Sequence, residues 1–262
     1  MKRIMSLSRL FGLDPSVTMN AVRALPRFLR DYRSLRRQLL DRGQDFPIAR
    51  YYPVLSEDSE ESGVAGGHYF HQDLHVARRV FEANPRRHLD VGSRVDGFVS
   101  HVAVFREIEV ADIRRLSTTA SNIRFVHCDL MDPRSVALLG QADSVSCLHV
   151  LEHFGLGRYG DAVSAEGHLR GLENLCALVA PGGRLYLSVP IGPQRIEFNA
   201  HRVFAAKTVP ALMPAGFRLE QFSFVDDAGD IHAHVEFSAL DVARNFGCTF
   251  GCGIYEFSRT GT

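Results

Sequence analysis

Glu152 and His153 stand side by side in Leu148-His149-Val150-Leu151-Glu152-His153, with His149 four residues before His153. An imidazole titrates near neutral pH, so His153 beside a carboxylate that orients it is a candidate general base. The same pair also reads as a cap and hinge of the next segment. His201, in the polar loop Phe198-Asn199-Ala200-His201-Arg202-Val203-Phe204 expected after the fifth strand, is the second catalytic candidate. Arg158 and Tyr159 lie between glycines in Gly155-Leu156-Gly157-Arg158-Tyr159-Gly160-Asp161. They suit an acidic or sugar acceptor, or simply brace their loop. His149 is expected beside a cofactor rather than in proton transfer.

About sixty residues earlier, His88-Leu89-Asp90-Val91-Gly92-Ser93-Arg94-Val95-Asp96-Gly97 reads as a short apolar strand, a turn and a helix start. Asp90 ends the strand, Gly92 and Ser93 make the turn, and Gly97 admits the following helix. Backbone N–H groups and a helix N-terminus at such a turn favour the polar groups of a nucleoside. Asp112 ends the next strand, where a carboxylate accepts both ribose hydroxyls. Asp129, followed by Leu130, ends a third and could accept from an adenine amino group. Each aspartate alone also serves as a turn or helix cap. Three in order at successive strand ends point to one shared cleft at the carboxyl edge of a sheet.

The elements that must position these residues alternate along the chain. Helix 72–84 precedes strand 88–92, helix 97–106, strand 108–112, strand 123–128, helix 133–139 and strand 143–149. A helix over about 165–180 stops at Ala180-Pro181-Gly182-Gly183. Strand 184–190, helix 205–214, strand 217–226 and a final pair near 231–238 and 252–258 follow. Within that pair, His232 and His234 are expected to share one face of the sheet. This alternation predicts an α/β fold, a mostly parallel sheet with helices on both faces.

Residues 17–42 read as a separate helix, with an apolar stripe of Leu25, Phe28, Tyr32, Leu35 and Leu39 and arginines over much of the rest. It either docks on a core or makes a peripheral contact with an anionic membrane or a protein. The organisation expected is a basic amphipathic extension over 1–55, an acidic linker over 56–67 and a main domain over 68–262.

Composition fits a soluble protein of 262 residues, with 45% hydrophobic and 23% charged residues. A formal net charge of zero gives no global pull toward nucleic acid. Residues 1–50 nevertheless hold eleven Lys/Arg against four Asp/Glu. The five cysteines form no paired framework and are expected reduced. No apolar run reaches the ~20 residues of a membrane span, and the start lacks a secretory pattern. These features predict a cytoplasmic protein, or one peripheral to the inner face of the membrane.

The Asp90-Val91-Gly92-Ser93 turn, Asp112, Cys128-Asp129-Leu130, Val150-Leu151-Glu152-His153 and Leu178-Val179-Ala180-Pro181-Gly182-Gly183 resemble the ordered motifs of class I S-adenosylmethionine-dependent methyltransferases. More narrowly, Gly67-His68-Tyr69-Phe70-His71-Gln72-Asp73-Leu74, the Gly155–Asp161 stretch and Phe198–Phe204 look like a bacterial branch associated with surface-polysaccharide synthesis. The resemblance implies a Rossmann-like sheet of seven strands, S-adenosylmethionine as cofactor, and O-methylation of a small-molecule or glycan-linked hydroxyl. It places Asp90, Gly92, Ser93, Gly97, Asp112, Asp129, Leu130 and His149 around the cofactor. Some relatives hold a divalent metal with a Glu-His pair and a later histidine, which Glu152, His153 and His201 would reproduce; a metal is not favoured here.

One position departs from the family pattern. Arg94 stands where a second glycine of the turn is expected, either crowding the cofactor or pointing outward. A nicotinamide-dinucleotide site is the rival reading of this turn, but it needs Gly-x-Gly-x-x-Gly, and only Gly92 and Gly97 are present. A degenerate fold serving as a scaffold in glycan assembly is the alternative from another functional class.

Overall fold

The computed structural model describes residues 15–42, 46, 48–55, 63–117 and 119–261. The chain divides into two compact units, Met1–Val64 and Ala65–Thr262. The acidic run 56–62, expected as a linker, lies outside the described residues.

The first unit is built on helix α1, Pro15–Arg42. Phe28 and Tyr32 are half-buried on one side of it, and the Tyr32 ring lies 4.8 Å from that of Tyr51. The 48–55 segment thus lies along this side of the helix.

The second unit begins with α2, Gly67–Ala83, followed by β1, His88–Val91. A π-type turn at Val95–Val99 leads into α3, Ser100–Ala103, then β2, Ile108–Asp112, and β3, Ile123–His127. Helix α4, Pro133–Leu139, starts on Asp132, whose side chain accepts from the Arg134 N–H while Pro133 takes the first turn. β4, Ala142–Leu148, α5, Gly167–Leu178, and β5, Val179–Ile191, follow. A hairpin of β6, Arg195–Glu197, and β7, His201–Val203, precedes α6, Thr208–Leu212, and β8, Phe217–Val225. The chain ends through β9, Ile231–His232, α7, Ala239–Ala243, and β10, Gly251–Arg259.

The main sheet has the order β3-β2-β1-β4-β5-β10-β8-β9. β1 to β5 are mutually parallel, while β10 runs antiparallel to β5 and β8. The fold is therefore the expected Rossmann-like α/β sheet, with the two-residue β9 as an additional edge. The strand order reverses between β1 and β4, and such a switch point opens a crevice at the carboxyl ends of the strands.

Two apolar layers cover the sheet. One gathers Val76 and Val80 of α2 with Phe98, Val102, Val110, Tyr186 and Ile254. The other gathers Val136, Leu139, Leu172 and Leu175 with Leu89, Val145, Leu187 and Tyr255. Val80 and Leu175 are wholly buried, and each such side chain contributes about 1.5–3 kcal/mol.

Three elements are shorter than expected. The helix expected over 97–106 is shortened to the π turn and α3. The helix over 205–214 contracts to Thr208–Leu212. The strand expected over 231–238 stops at His232, because His234 has φ +55°. His232 stacks on Phe224 at 4.5 Å, whereas the His234 ring lies 5.3 Å from that of His75, so the two histidines do not share a strand.

Candidate active site

A cleft lies at the carboxyl ends of β1 to β4, lined in turn by Val91, Asp112, Cys128 and His149. Ala111, Ile113, Leu130, Met131 and Val150 give it apolar walls, and Asp112, Asp129, His149, His153 and Tyr159 give it polar groups. Gly92 also lines it. Its φ of +73° suits glycine, and a Cβ there would lie 2.8 Å from Val150 Cγ1. The two strand ends therefore come together only because this residue lacks a side chain.

The aspartates separate into two groups. Asp112 and Asp129 line the cleft. Asp90 does not: its carboxylate is fully buried and accepts from Ser93 N at 3.0 Å, Ser93 Oγ at 2.6 Å and Ser146 Oγ at 2.6 Å. Burial pushes its pKa up to about 7. The Ser93 hydroxyl also accepts from Leu148 N at 3.3 Å. Asp90 and Ser93, expected as cofactor contacts, thus tie β1 to β4 behind the cleft. Gly97 likewise faces protein, since a Cβ there would meet Asp73 Oδ2 at 2.4 Å. The Arg94 guanidinium points outward, paired with Asp96 at 2.8 Å and 5.4 Å from the centre of the Tyr69 ring.

The conspicuous residue absent from the sequence reading is Arg114. Its Nη2 lies 2.5 Å from Asp112 Oδ2, and its Nε 3.1 Å from Asp112 Oδ1. The same guanidinium donates to the Gly92 carbonyl at 3.2 Å and sits 4.8 Å from the centre of the Tyr159 ring. The Asp112-Ile113-Arg114 spacing at a strand end was the available signal, because an arginine two residues on can fold back on the carboxylate.

His149 closes β4 with φ +55°, an uncommon conformation for a side-chain-bearing residue and one that recurs at functional sites. Its Nδ1 lies 2.7 Å from Glu152 Oε1, and its ring stacks on His68 at 5.3 Å. Burial opposes the cation, but Cys252 and Glu152 raise the His149 pKa well above the ordinary imidazole value. His149 Nε2 and Glu152 Oε2 are buried without hydrogen-bond partners. Glu152 is almost fully buried and holds His149 rather than lining the cleft.

His153 does line the cleft. We assign its proton to Nδ1, which donates to the Ala200 carbonyl at 2.7 Å. Nε2 is then left as the basic atom, 3.7 Å from Glu152 Oε1. Burial lowers the pKa of this ring, so it is neutral at pH 7. Arg158 donates to the same Ala200 carbonyl at 2.9 Å, and Tyr159 meets the His153 ring edge to face at 5.6 Å. Their loop is shaped by Asp161, whose carboxylate accepts from the N–H groups of Gly155, Gly157 and Tyr159 at 2.9, 3.3 and 3.2 Å.

His201 stands elsewhere. It lies in strand β7 rather than in a loop, its Nε2 3.3 Å from Glu197 and its ring 5.1 Å from Phe250, and it does not line the cleft. Glu152, His153 and His201 therefore do not form a metal site, and no group of three or more His, Cys, Asp or Glu side chains that could hold a metal occurs among the described residues. Its neighbour Arg202 was also missed. That buried guanidinium donates to the carbonyls of Phe154 at 2.6 Å, Glu152 at 3.4 Å and Ser164 at 3.4 Å, bracing the 152–164 segment against β7.

Residues 125–242 match the model of a family described as a Caenorhabditis protein of unknown function, DUF268. No curated protein matches the chain. Among solved structures, the chain is similar to the N-methyltransferase NodS from Bradyrhizobium japonicum WM9 in complex with S-adenosyl-L-homocysteine. The identity is 15%, with 87% of this chain and 97% of that one covered, at a TM-score of 0.48. A SAM-dependent methyltransferase from Anabaena variabilis shares 13% identity over 73% of this chain and 85% of its own, at a TM-score of 0.49. An O-methyltransferase family protein from Burkholderia thailandensis shares 14% identity over 78% of this chain and 66% of its own, at 0.42.

Proposed function

We propose that the chain is an S-adenosylmethionine-dependent methyltransferase acting on a hydroxyl of a small-molecule or glycan-linked acceptor. The observation that carries this reading is the placement of Asp112 and Asp129, at successive strand ends, in one cleft with a neutral His153. The residues fit a bound S-adenosylmethionine: Asp112 matches a ribose diol, Asp129 an adenine amino group, and Leu130, Met131 and Val150 the faces of a purine. His149 adds a buried, unpartnered Nε2 at the same wall. When bound, the cofactor would supply an electrophilic methyl on a sulfonium.

The chain's own task is to position the acceptor and take its proton. Positioning alone accounts for much of the rate in a displacement of this kind. His153 Nε2 accepts the hydroxyl proton, and the Ala200 carbonyl stabilises the resulting imidazolium through Nδ1–H. Glu152 steadies the same cation from 3.7 Å. Tyr159 lines the cleft beside His153 and is assigned to the acceptor, while Arg158 holds the Ala200 carbonyl that His153 also bonds.

Titration calorimetry with S-adenosylhomocysteine and with NAD tests the cofactor. Heat with the first and none with the second is expected; heat with NAD alone would replace the reading. The acceptor is sought by incubating the protein and donor with nucleotide sugars and lipid-linked glycans and looking for the mass gain of one methylene. A second reading, a degenerate fold acting as a scaffold, is favoured by one observation: Arg114 already engages both Asp112 oxygens. No heat with either ligand would favour it.

A further inference from the structure

The N-terminal unit carries a surface that the methyltransferase reading does not use. Helix α1 holds seven arginines against two aspartates. Val22, Leu25, Leu29 and Leu40 are all exposed, Leu40 by 77%. At 100° per residue Val22, Leu25 and Leu29 form one continuous stripe, spaced at three and four. Arg33 and Arg36 extend the same stripe toward Leu40, with Arg30 and Arg37 beside it. The adjoining face, which begins beside Leu25, is occupied: Ala24 and Phe28 share a groove with Val54 and Leu55, and Tyr32 meets Tyr51. The segment that covers this face carries exposed rings of its own, Tyr51 and Tyr52, and Phe46 ahead of it is 83% exposed. Arg50 lies 5.5 Å from the centre of the Tyr52 ring.

We infer that this surface docks on an anionic lipid bilayer. Leucines and a valine laid along an arginine-rich face, with tyrosines beside them, match the chemistry of the headgroup boundary. There apolar side chains enter the acyl edge, guanidiniums pair with phosphates, and aromatic rings sit between the two. Among the described residues no helix is long and apolar enough to cross a membrane, so α1 lies on the surface rather than through it. The excess of five positive charges in this one helix, seven arginines less two aspartates, selects an anionic membrane over a neutral one. Docking of this kind brings the second unit to a surface where lipid-linked acceptors reside.

The test is co-sedimentation of the full chain with vesicles of phosphatidylglycerol and phosphatidylcholine, and with phosphatidylcholine alone. Binding to the anionic vesicles only is expected, and it should be lost as salt rises toward about 0.5 M. Arg30→Gln, Arg33→Gln and Arg37→Gln should each weaken it about fivefold, and Leu25→Ser with Leu29→Ser should weaken it without changing the salt dependence. Equal binding to both vesicle types, or to neither at low salt, would overturn the proposal. So would a stable dimer in sedimentation equilibrium that the Leu25→Ser, Leu29→Ser variant dissociates, since a second copy would then own the face.

Discussion

At the residue scale, the proposed proton transfer depends on which His153 nitrogen is basic. Because Ala200 holds Nδ1–H and burial lowers the ring's pKa, the base form persists below the usual imidazole range. The acid limb of kcat/KM should therefore fall below pH 6.5, and a limb above it would contradict the assignment. His153→Ala should cut turnover by about 10²–10⁴ while leaving the calorimetric affinity for S-adenosylhomocysteine intact. Arg114 makes the opposite kind of prediction. Its guanidinium competes with a ribose for Asp112, so Arg114→Gln should tighten nucleoside binding several-fold; weaker binding would make the arginine a ligand contact.

Residues also show where sequence patterns stop being informative. The spacing of Asp112, Asp129 and His153 after apolar strands was legible because strand ends converge in this topology. Asp90 has the same local pattern but a different fate. Two serines, Ser93 and Ser146, turn its carboxylate inward, and Ser146 lies on a strand more than fifty residues away. Such a pairing follows from the β1–β4 register, which the sequence does not spell out.

At the element scale, the segment from Leu151 to Ser164 is held by two unlike devices. Asp161 gathers three N–H groups inside it, and Arg202 reaches in from β7 to its carbonyls. A buried guanidinium bonded to carbonyls loses several charge-assisted hydrogen bonds when replaced. Arg202→Met should cost about 2 kcal/mol in stability by chemical denaturation, and hydrogen exchange should quicken over 152–164 more than elsewhere. Uniform acceleration would deny the brace its local role. The β6–β7 hairpin that carries Arg202 is not legible as strands, because each is only three residues long and shows no clear alternation.

At the scale of the whole molecule, the alternation of apolar strands and amphipathic helices makes the layered sheet legible from the order of residues. The same buried polar column that joins β1 to β4 also sets how stability responds to pH. Burial raises Asp90 to about 7 from 3.8, so between those values the folded state keeps a proton that the unfolded chain releases. Its contribution to stability therefore falls as pH rises across that window. His88, bonded to Ser144 at 2.7 Å, is pushed down to about 3, so its neutral form loses ground as pH drops below 6.5. The two trends oppose one another in mildly acid solution, and of these two groups only Asp90 acts near neutrality. Asp90→Asn should thus gain thermal stability relative to the unmodified protein as pH goes from 5 to 8. A difference in Tm that stays flat over that interval would place Asp90 at an ordinary pKa.

Tyr159 belongs to three neighbourhoods at once: the guanidinium over Asp112, the arginine of its own loop and the edge of the His153 imidazole. A ligand that displaces the first of these must release one side of the ring, and the others shift with it. Under the proposed function, donor and acceptor would then not arrive independently. Initial-rate kinetics should show a compulsory order with the nucleoside first, so that its spent form competes with the donor but not with the acceptor.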